Sequence, residues 1–414
     1  MTDDCCCTPT ISNLTSYDEA LELLLGYAKV TNRTETVSLA HALGRVLAES
    51  VTSRINVPGW DNSAMDGYAV NSRDLRKCGD SLPVSQRIPA GIAAEPLKPG
   101  TAARIFTGAP VPEGADAVVM QEQCEAIDGG VIINAEVKAG SHIRLAGEDI
   151  GKDQVIIEAG ERLKPQHLGL AASVGVAELR VYKPLRVAVL ASGDELVMPG
   201  QPLQPGQIYN SNLFTTNGLL QSLGCEVVAA DMVEDTLEAT KAALLQAADK
   251  ADLVLASGGV SVGEEDHVKP AVEALGELNM WKLAIRPGKP VAFGHIGDSP
   301  FIGAPGNPVS LFVTFLLFAR PFILKCMGLN ECLPKILEMK AGFDWPKPDK
   351  RREFHRARIQ QAENGGSEVV VHPSGSSAVL SSATWADGLV VIGESQKIAR
   401  GDMVKYIPFS ELLA

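Results

Sequence analysis

The chain has 414 residues, 45% of them hydrophobic and 21% charged, a globular composition that is too long for one core and predicts about three or four domains. A net charge of -13 and a pI near 5.1 exclude nucleic acid and an anionic membrane surface as main partners. Any anionic ligand must therefore be captured by a few local Lys and Arg residues.

In chain order, residues 1–15 read as a disordered tail. Cys5, Cys6 and Cys7 are consecutive, a spacing that neither bridges easily nor wraps a tetrahedral metal, so reduced thiols in a cytoplasmic protein are expected. The acidic, cysteine-rich start is the wrong chemistry for a signal peptide. Ser16 with Glu19 fits a capping box for a first helix, whose apolar face is Leu21, Leu24, Leu25 and Ala28. A second helix is expected over about Leu39 to Glu49. From Val51 to about Arg144 short β-like runs alternate with Pro and Gly, and helical pattern returns at Lys164 to Gly175. This predicts a helical linking domain, residues 16–50 and 145–183, interrupted by an inserted β-rich domain, residues 51–144.

From Leu185 strands and helices alternate. "LRVAVLASG", "EVVAADMV", "DLVLASGG" and "NMWKLAI" read as four strands of a doubly wound parallel sheet in an αβ domain, residues 184–330. The run Val309 to Ala319 is broken by Arg320 and Pro321, too short to cross a bilayer, and predicts a buried helix. Residues 331–414 are again β-like and predict a small terminal barrel or sheet. The fold class is thus multidomain α/β.

Ligands of open parallel sheets bind at the carboxyl ends of the strands. Asp194 and Glu195 follow the first strand, Glu234 and Asp235 the second. After the third comes "SGGVSVGEEDHVK", where Ser257, Gly258, Gly259, Ser261 and Gly263 lead to Glu264, Glu265 and Asp266. After the fourth come Arg286 and Lys289. Bare backbone N–H groups in such a loop receive an anion, while carboxylates beside it hold a divalent cation, so Mg²⁺ next to phosphate is the expected occupant. Singly, Asp235 or Asp266 reads more readily as a helix cap than as a ligand, and Lys282 with Arg286 reads as a solvated face; it is their combination on one sheet edge that points to a site. A second constellation, "PGWDNSAMDGYAV", places Asp61, Asn62 and Asp66 between Trp60 and Tyr68, with Gly67 permitting a tight turn. Arg144, Glu148 and Asp149 lie in "RLAGEDIG", and "GAPGNPVS" is a rigid turn into a helix.

"DNSAMDGYAV", "TGAPVPEGADAVVMQE", "AGEDI", "SGDEL", "SGGVSVGEEDHVK", "KLAIRPGKPVAFG" and "GAPGNPVS", in this order, resemble the molybdopterin molybdenumtransferases, the MoeA and gephyrin E-domain family. The resemblance implies a four-domain homodimer that inserts molybdate into adenylylated molybdopterin with Mg²⁺-dependent release of AMP. It implies catalytic roles for Asp61, Asp149, Glu195, Asp235 and Asp266, with Glu195, Asp235 and Asp266 on the metal. Substrate contacts are implied for Thr107, Ser257, Gly258, Gly259, Ser261, Gly263, Lys282, Arg286, Lys289, Pro305 and Pro308. From the terminal domain Arg351 or Arg356, and Ser376, are implied. Arg286 stands where a lysine is common in the family. Molybdopterin adenylyltransferase and molybdoenzyme apoproteins are the implied transient partners. Two other activities fit part of the pattern: adenylylation of the pterin, and a scaffold that gathers membrane receptors.

Overall fold

The structure is a computed structural model that describes residues 14–78, 80–259, 267–288, 290–362 and 365–413. Cys5 to Cys7, Ser261, Gly263, Asp266 and Lys289 lie outside the described residues. The chain divides into two compact units. One comprises Thr36–Leu43 and Leu47–Val181; the other holds the chain up to Glu35, Gly44–Val46 and everything from Tyr182 onward.

The first unit is built around a six-stranded sheet with the order Ala117–Met120, Gly67–Val70, Ala102–Ile105, Ser81–Ile88, Gly130–Ile133 and Cys124–Ile127. Gly67 does not make a turn. It begins a strand that approaches its neighbour so closely that a Cβ would lie 1.8 Å from the Val119 carbonyl oxygen. Helix Pro165–Ser173 forms where the pattern predicts one, with proline in its first turn, where an N–H has no partner anyway. The helix expected over Leu39 to Glu49 does not form. Only a single 3₁₀ turn, Leu39–His41, is present, because Gly44 takes φ +77° and Leu47 bridges Val181 in extended pairing.

The second unit contains a sheet in the order Glu226–Val233, Arg186–Ser192, Leu253–Ser257, Ser299–Ala304, Pro290–Ile296 and Gly276–Lys282. The first four strands are parallel. Alternation along them sorts the core: Val187, Val189, Leu253 and Leu255 face Leu220, Phe312 and Phe322, while Ala188, Leu190, Val254 and Ala256 face Leu244, Val268 and Val272. Both faces are covered, as continuous apolar runs require. "NMWKLAI" is not the fourth parallel strand. Gly276–Lys282 lies at the far edge, antiparallel to Pro290–Ile296, which is itself antiparallel to Ser299–Ala304.

Helix Tyr17–Tyr27 belongs to this unit and is capped by Ser16, whose oxygen accepts from Glu19 N at 3.2 Å. The run from Pro308 continues past Arg320 and Pro321 to Cys326. It passes through a π turn at Phe315–Ala319, one of the few devices that lets a helix continue where proline removes an N–H. By length and composition Pro308–Cys326 could cross a membrane, yet 94% of it is buried inside the protein. Arg320 is buried with it and donates to the Cys332 and Glu411 carbonyls.

The terminal strands close into a five-membered ring. Arg352–Gln361, Ser367–Val371, Leu337–Ala341, Met403–Pro408 and Gly388–Ile392 pair in that order, and the last returns to the first. Ala341, Ala357, Val369, Val390, Val404 and Tyr406 fill it. Ile285–Arg286 adds to its rim, parallel to Arg352–Glu353.

Candidate active site

The carboxyl ends of the parallel strands meet at the residues the sequence singles out, through contacts it does not reveal. Gly258 has φ +86°, and a Cβ there would sit 2.7 Å from the Ser192 carbonyl oxygen. Only glycine permits that approach. Gly258 N donates to Ala304 O at 3.2 Å, and Gly306 packs against Gly258 Cα. The third and fourth parallel strands are thereby tied together. Ser257 is buried at the end of its strand, and Gly259 follows with φ +66° against Val268.

Ser192 is the pivot. Its hydroxyl donates to Asp235 Oδ1 at 3.0 Å, which fixes one carboxylate oxygen of Asp235 and leaves Oδ2 without a hydrogen bond among the described residues. Glu195 is exposed, and its carboxylate folds back over Gly193, where a Cβ would stand 2.6 Å from Oε2. Asn212, in the first turn of Ser211–Ser222, donates to Gly306 O at 2.7 Å. Among the described residues no group of three His, Cys, Asp or Glu is close enough to hold a metal, and Asp266 lies outside that set. Asp235 and Glu195 are hard oxygen donors. They fit Mg²⁺, which takes one or two carboxylates and keeps water and phosphate in its other positions.

The cationic loop reaches this edge by a route other than the expected strand. Gly288, at φ +90°, packs on Pro305, Ser310 and Thr314, so the loop that carries Arg286 rests on the "GAPGNPVS" turn. Pro308 opens the helix as its first residue. Arg286 is half exposed, with Asp349 at 3.5 Å and Glu353 at 3.9 Å, and its guanidinium donates no hydrogen bond to a described residue. The two carboxylates hold the guanidinium in place and share its charge, while its hydrogen-bond donors remain available to an oxyanion. Lys282 ends the far edge strand, exposed, with its carbonyl accepting from Thr15 N.

Arg351 and Arg356 separate clearly. Arg351 is committed to Asp349 through two side-chain hydrogen bonds, which hold the Asp349 carboxyl down at about 2. Arg356 is 1% exposed, donates to Ser382 Oγ and to the Ser374 and Ser376 carbonyls, and leaves one terminal nitrogen without a partner among the described residues. Burial without a carboxylate lowers its pKa. The loop it grips touches the start of the long helix, since Val309 N donates to Ser377 O at 3.0 Å. Ser376 therefore stands one residue from that contact.

In the other unit the two acidic motifs are stitched into one turn cluster. Ala146 N donates to Asp61 Oδ1 at 2.8 Å, Gly147 N to Pro58 O, and Asp149 N to Val57 O. Ile143–Arg144 pairs with Asn62–Ser63. The Asp149 carboxylate is exposed and makes no hydrogen bond among the described residues. Thr107 gives both its N–H and its hydroxyl to Asp66 Oδ1 at 2.8 Å each, and these bonds lower the Asp66 pKa.

Residues 15–175 match the MoeA N-terminal region, domains I and II; residues 188–325 match a probable molybdopterin binding domain; residues 338–409 match the MoeA C-terminal region, domain IV. A molybdopterin molybdenumtransferase of Haemophilus influenzae is 40% identical over 400 residues, 96% of this chain and 99% of that one. The chain belongs to the molybdopterin molybdenumtransferase family. Another relative with that name, from Bacillus subtilis, is 33% identical over 95% of this chain and 94% of its own length. The crystal structure of a molybdopterin biosynthesis moeA protein from Pyrococcus horikoshii OT3 superposes with a TM-score of 0.82 at 28% identity, over 95% of this chain and 100% of that chain. Ser192 and Asn212 are functional candidates that the sequence does not announce. Ser192 merely ends a strand, and Asn212 has the ordinary chemistry of a helix start.

Proposed function

We propose that this chain inserts molybdate into adenylylated molybdopterin and releases AMP in a Mg²⁺-dependent step, in the cytoplasm and as a homodimer. The observation that carries the reading is the convergence on one sheet edge of Gly258 on Ser192, Ser192 on Asp235, and the Arg286 loop on Pro305. A glycine strand end without side chains, with the Gly259 N–H unclaimed among the described residues, suits phosphate oxygens, and the half-exposed guanidinium suits a dianionic oxyanion.

The residues divide the work as follows. Ser192 holds Asp235 so that one oxygen stays directed and available; Glu195 supplies another carboxylate from the neighbouring strand end. When bound there, Mg²⁺ would supply positive charge to the phosphate oxygens of the adenylyl group. Gly258 and Gly259 let backbone approach the phosphate without a side chain between. Arg286 orients molybdate, and Arg356 fixes the Ser374–Ser377 loop against the helix start. Asp266, Ser261, Gly263 and Lys289 take the remaining assignments to metal, oxyanion and phosphate on the resemblance alone, as do Asp61 and Asp149 to catalysis. Molybdopterin adenylyltransferase is the proposed supplier of substrate and molybdoenzyme apoproteins the proposed recipients.

The family match over 96% of the chain favours molybdenum insertion over adenylylation of the pterin. Incubation with adenylylated molybdopterin should release AMP only when molybdate and Mg²⁺ are both present. AMP release independent of molybdate, or ATP consumption with unmodified molybdopterin, refutes the reading.

A further inference from the structure

Trp60 is the most conspicuous side chain of the inserted unit that none of the assignments above uses. It is 56% exposed, and no ring of another described residue stacks on it. Leu145, from the other acidic motif, is 60% exposed. Single exposed apolar side chains are ordinary, so Trp60 counts only for the polar groups that stand with it in one ordered turn. The turn itself is rigid: Val57 pairs with Ile150, Gly147 N donates to Pro58 O, and Val111 N donates to Asp61 O at 2.9 Å.

The polar groups next to Trp60 are acceptors in want of donors. Asp61 is exposed; its Oδ1 takes the Ala146 N–H, and its Oδ2 has no donor among the described residues. Asn62 is only 6% exposed, yet its Oδ1 has no hydrogen-bond partner among the described residues. A buried orphan acceptor costs about 1–3 kcal/mol unless something supplies a donor. Flat aromatic surface beside free acceptors is the complement of a flat, donor-rich heterocycle. The 2-amino-4-oxopteridine ring is such a group: its N3–H and 2-amino donors lie side by side, spaced for a carboxylate.

We propose that Trp60 and Asp61 form the subsite that recognises the pterin ring of the substrate, the indole as its stacking face and the Asp61 carboxylate as acceptor for its adjacent N–H donors. This rests on the molybdopterin reading for the identity of the ring, but it concerns recognition and not turnover.

The test is binding of free pterin, read by the anisotropy of its own fluorescence, with lumazine as the analogue that lacks the 2-amino donor. Wild type should bind pterin more tightly than lumazine. Trp60→Ala should weaken both ligands by about tenfold or more, as loss of a stacking platform does, and Trp60→Phe should restore most of the affinity. Asp61→Asn should erase the preference for pterin over lumazine. Absence of pterin binding to wild type, or equal binding by wild type and Trp60→Ala, overturns the proposal. So does conversion of the oligomeric state by Trp60→Ala on size exclusion, which would make the indole a subunit contact. If pterin binds as described while adenylylated molybdopterin yields no AMP, the catalytic reading fails and this one stands.

Discussion

Gly258→Ala is the sharpest probe of the strand-end geometry. The substitution carries two separable costs. Backbone at φ +86° disfavours any side chain by about 1–2 kcal/mol. The new Cβ would also lie 2.7 Å from the Ser192 carbonyl oxygen, a backbone atom that cannot rotate away. Forcing atoms into filled space costs about 1–3 kcal/mol, so the total is about 2–5 kcal/mol. Gly401→Ala isolates the first cost, because Gly401 has φ +97° with nothing within 4 Å of its Cβ. At roughly 2–4 °C per kcal/mol for a unit of this size, Gly258→Ala should melt well below Gly401→Ala. Relief of the clash must push Ser192 away and take Asp235 with it, so molybdate-dependent AMP release should fall with stability. Differential scanning calorimetry of both variants, with AMP release measured well below melting, checks each half. Equal melting of the two variants, with normal turnover by Gly258→Ala, would refute the claim that this approach assembles the site.

Four other outcomes are expected. Ser192→Ala should lose no more than about 1 kcal/mol in chemical denaturation yet raise the Mg²⁺ concentration needed for half-maximal AMP release, since Asp235 loses its anchor. Asp235→Asn should abolish Mg²⁺-dependent turnover while melting close to wild type, whereas a carboxylate serving only the local fold would show the opposite in the same two assays. Arg356→Lys should destabilise by about 2–4 kcal/mol in urea, because a point-charge ammonium cannot satisfy a hydroxyl and two carbonyls in the geometry of the guanidinium. Asp349, lowered from 3.8 to about 2 mainly by its hydrogen bond from Arg351, lends stability that is complete above its unfolded pKa and is lost as pH falls through its folded one. The gap in unfolding free energy between wild type and Asp349→Asn should therefore be flat above about pH 5 and close between 3.8 and about 2.

The αβ domain is legible in the sequence because its central strands are buried on both faces and so read as unbroken Val, Ala and Leu. The strand order that departs from expectation there has a local signal of its own. "HIGDSP" is a two-residue hairpin turn, with Ile296 paired to Ser299 and Gly297 at φ +57°, and it turns Pro290–Ile296 antiparallel to Ser299–Ala304. Without it the apolar run "NMWKLAI" resembles another parallel strand. The Leu39–Glu49 segment carries helical spacing, but Gly44 and the pairing of Leu47 with Val181 override it, as tertiary context overrides propensity. Within the site, acids after strands announce themselves by position. The Ser192 hydroxyl, the grip of Arg356 on two carbonyls and the seat of Gly288 on Pro305 do not, since each depends on residues well separated along the chain.

The division of the chain has a consequence for its synthesis. Asp18 pairs with Arg352, the Leu25 carbonyl accepts from Lys325 Nζ, and the Tyr17 ring packs on Phe318 and Phe354. The first helix thus leaves the ribosome about 300 residues before its partners exist, while the unit ending at Val181 has nearly all its own contacts already translated. A chain released after Val181 should yield a protease-resistant core that begins near Thr36 and an amphipathic helix with nothing to bury it. For at least about 15 s at about 20 residues per second, Leu21 and Leu24 stay in water or on a chaperone. An early helix whose sequence must tolerate that wait is under a constraint the finished fold does not display.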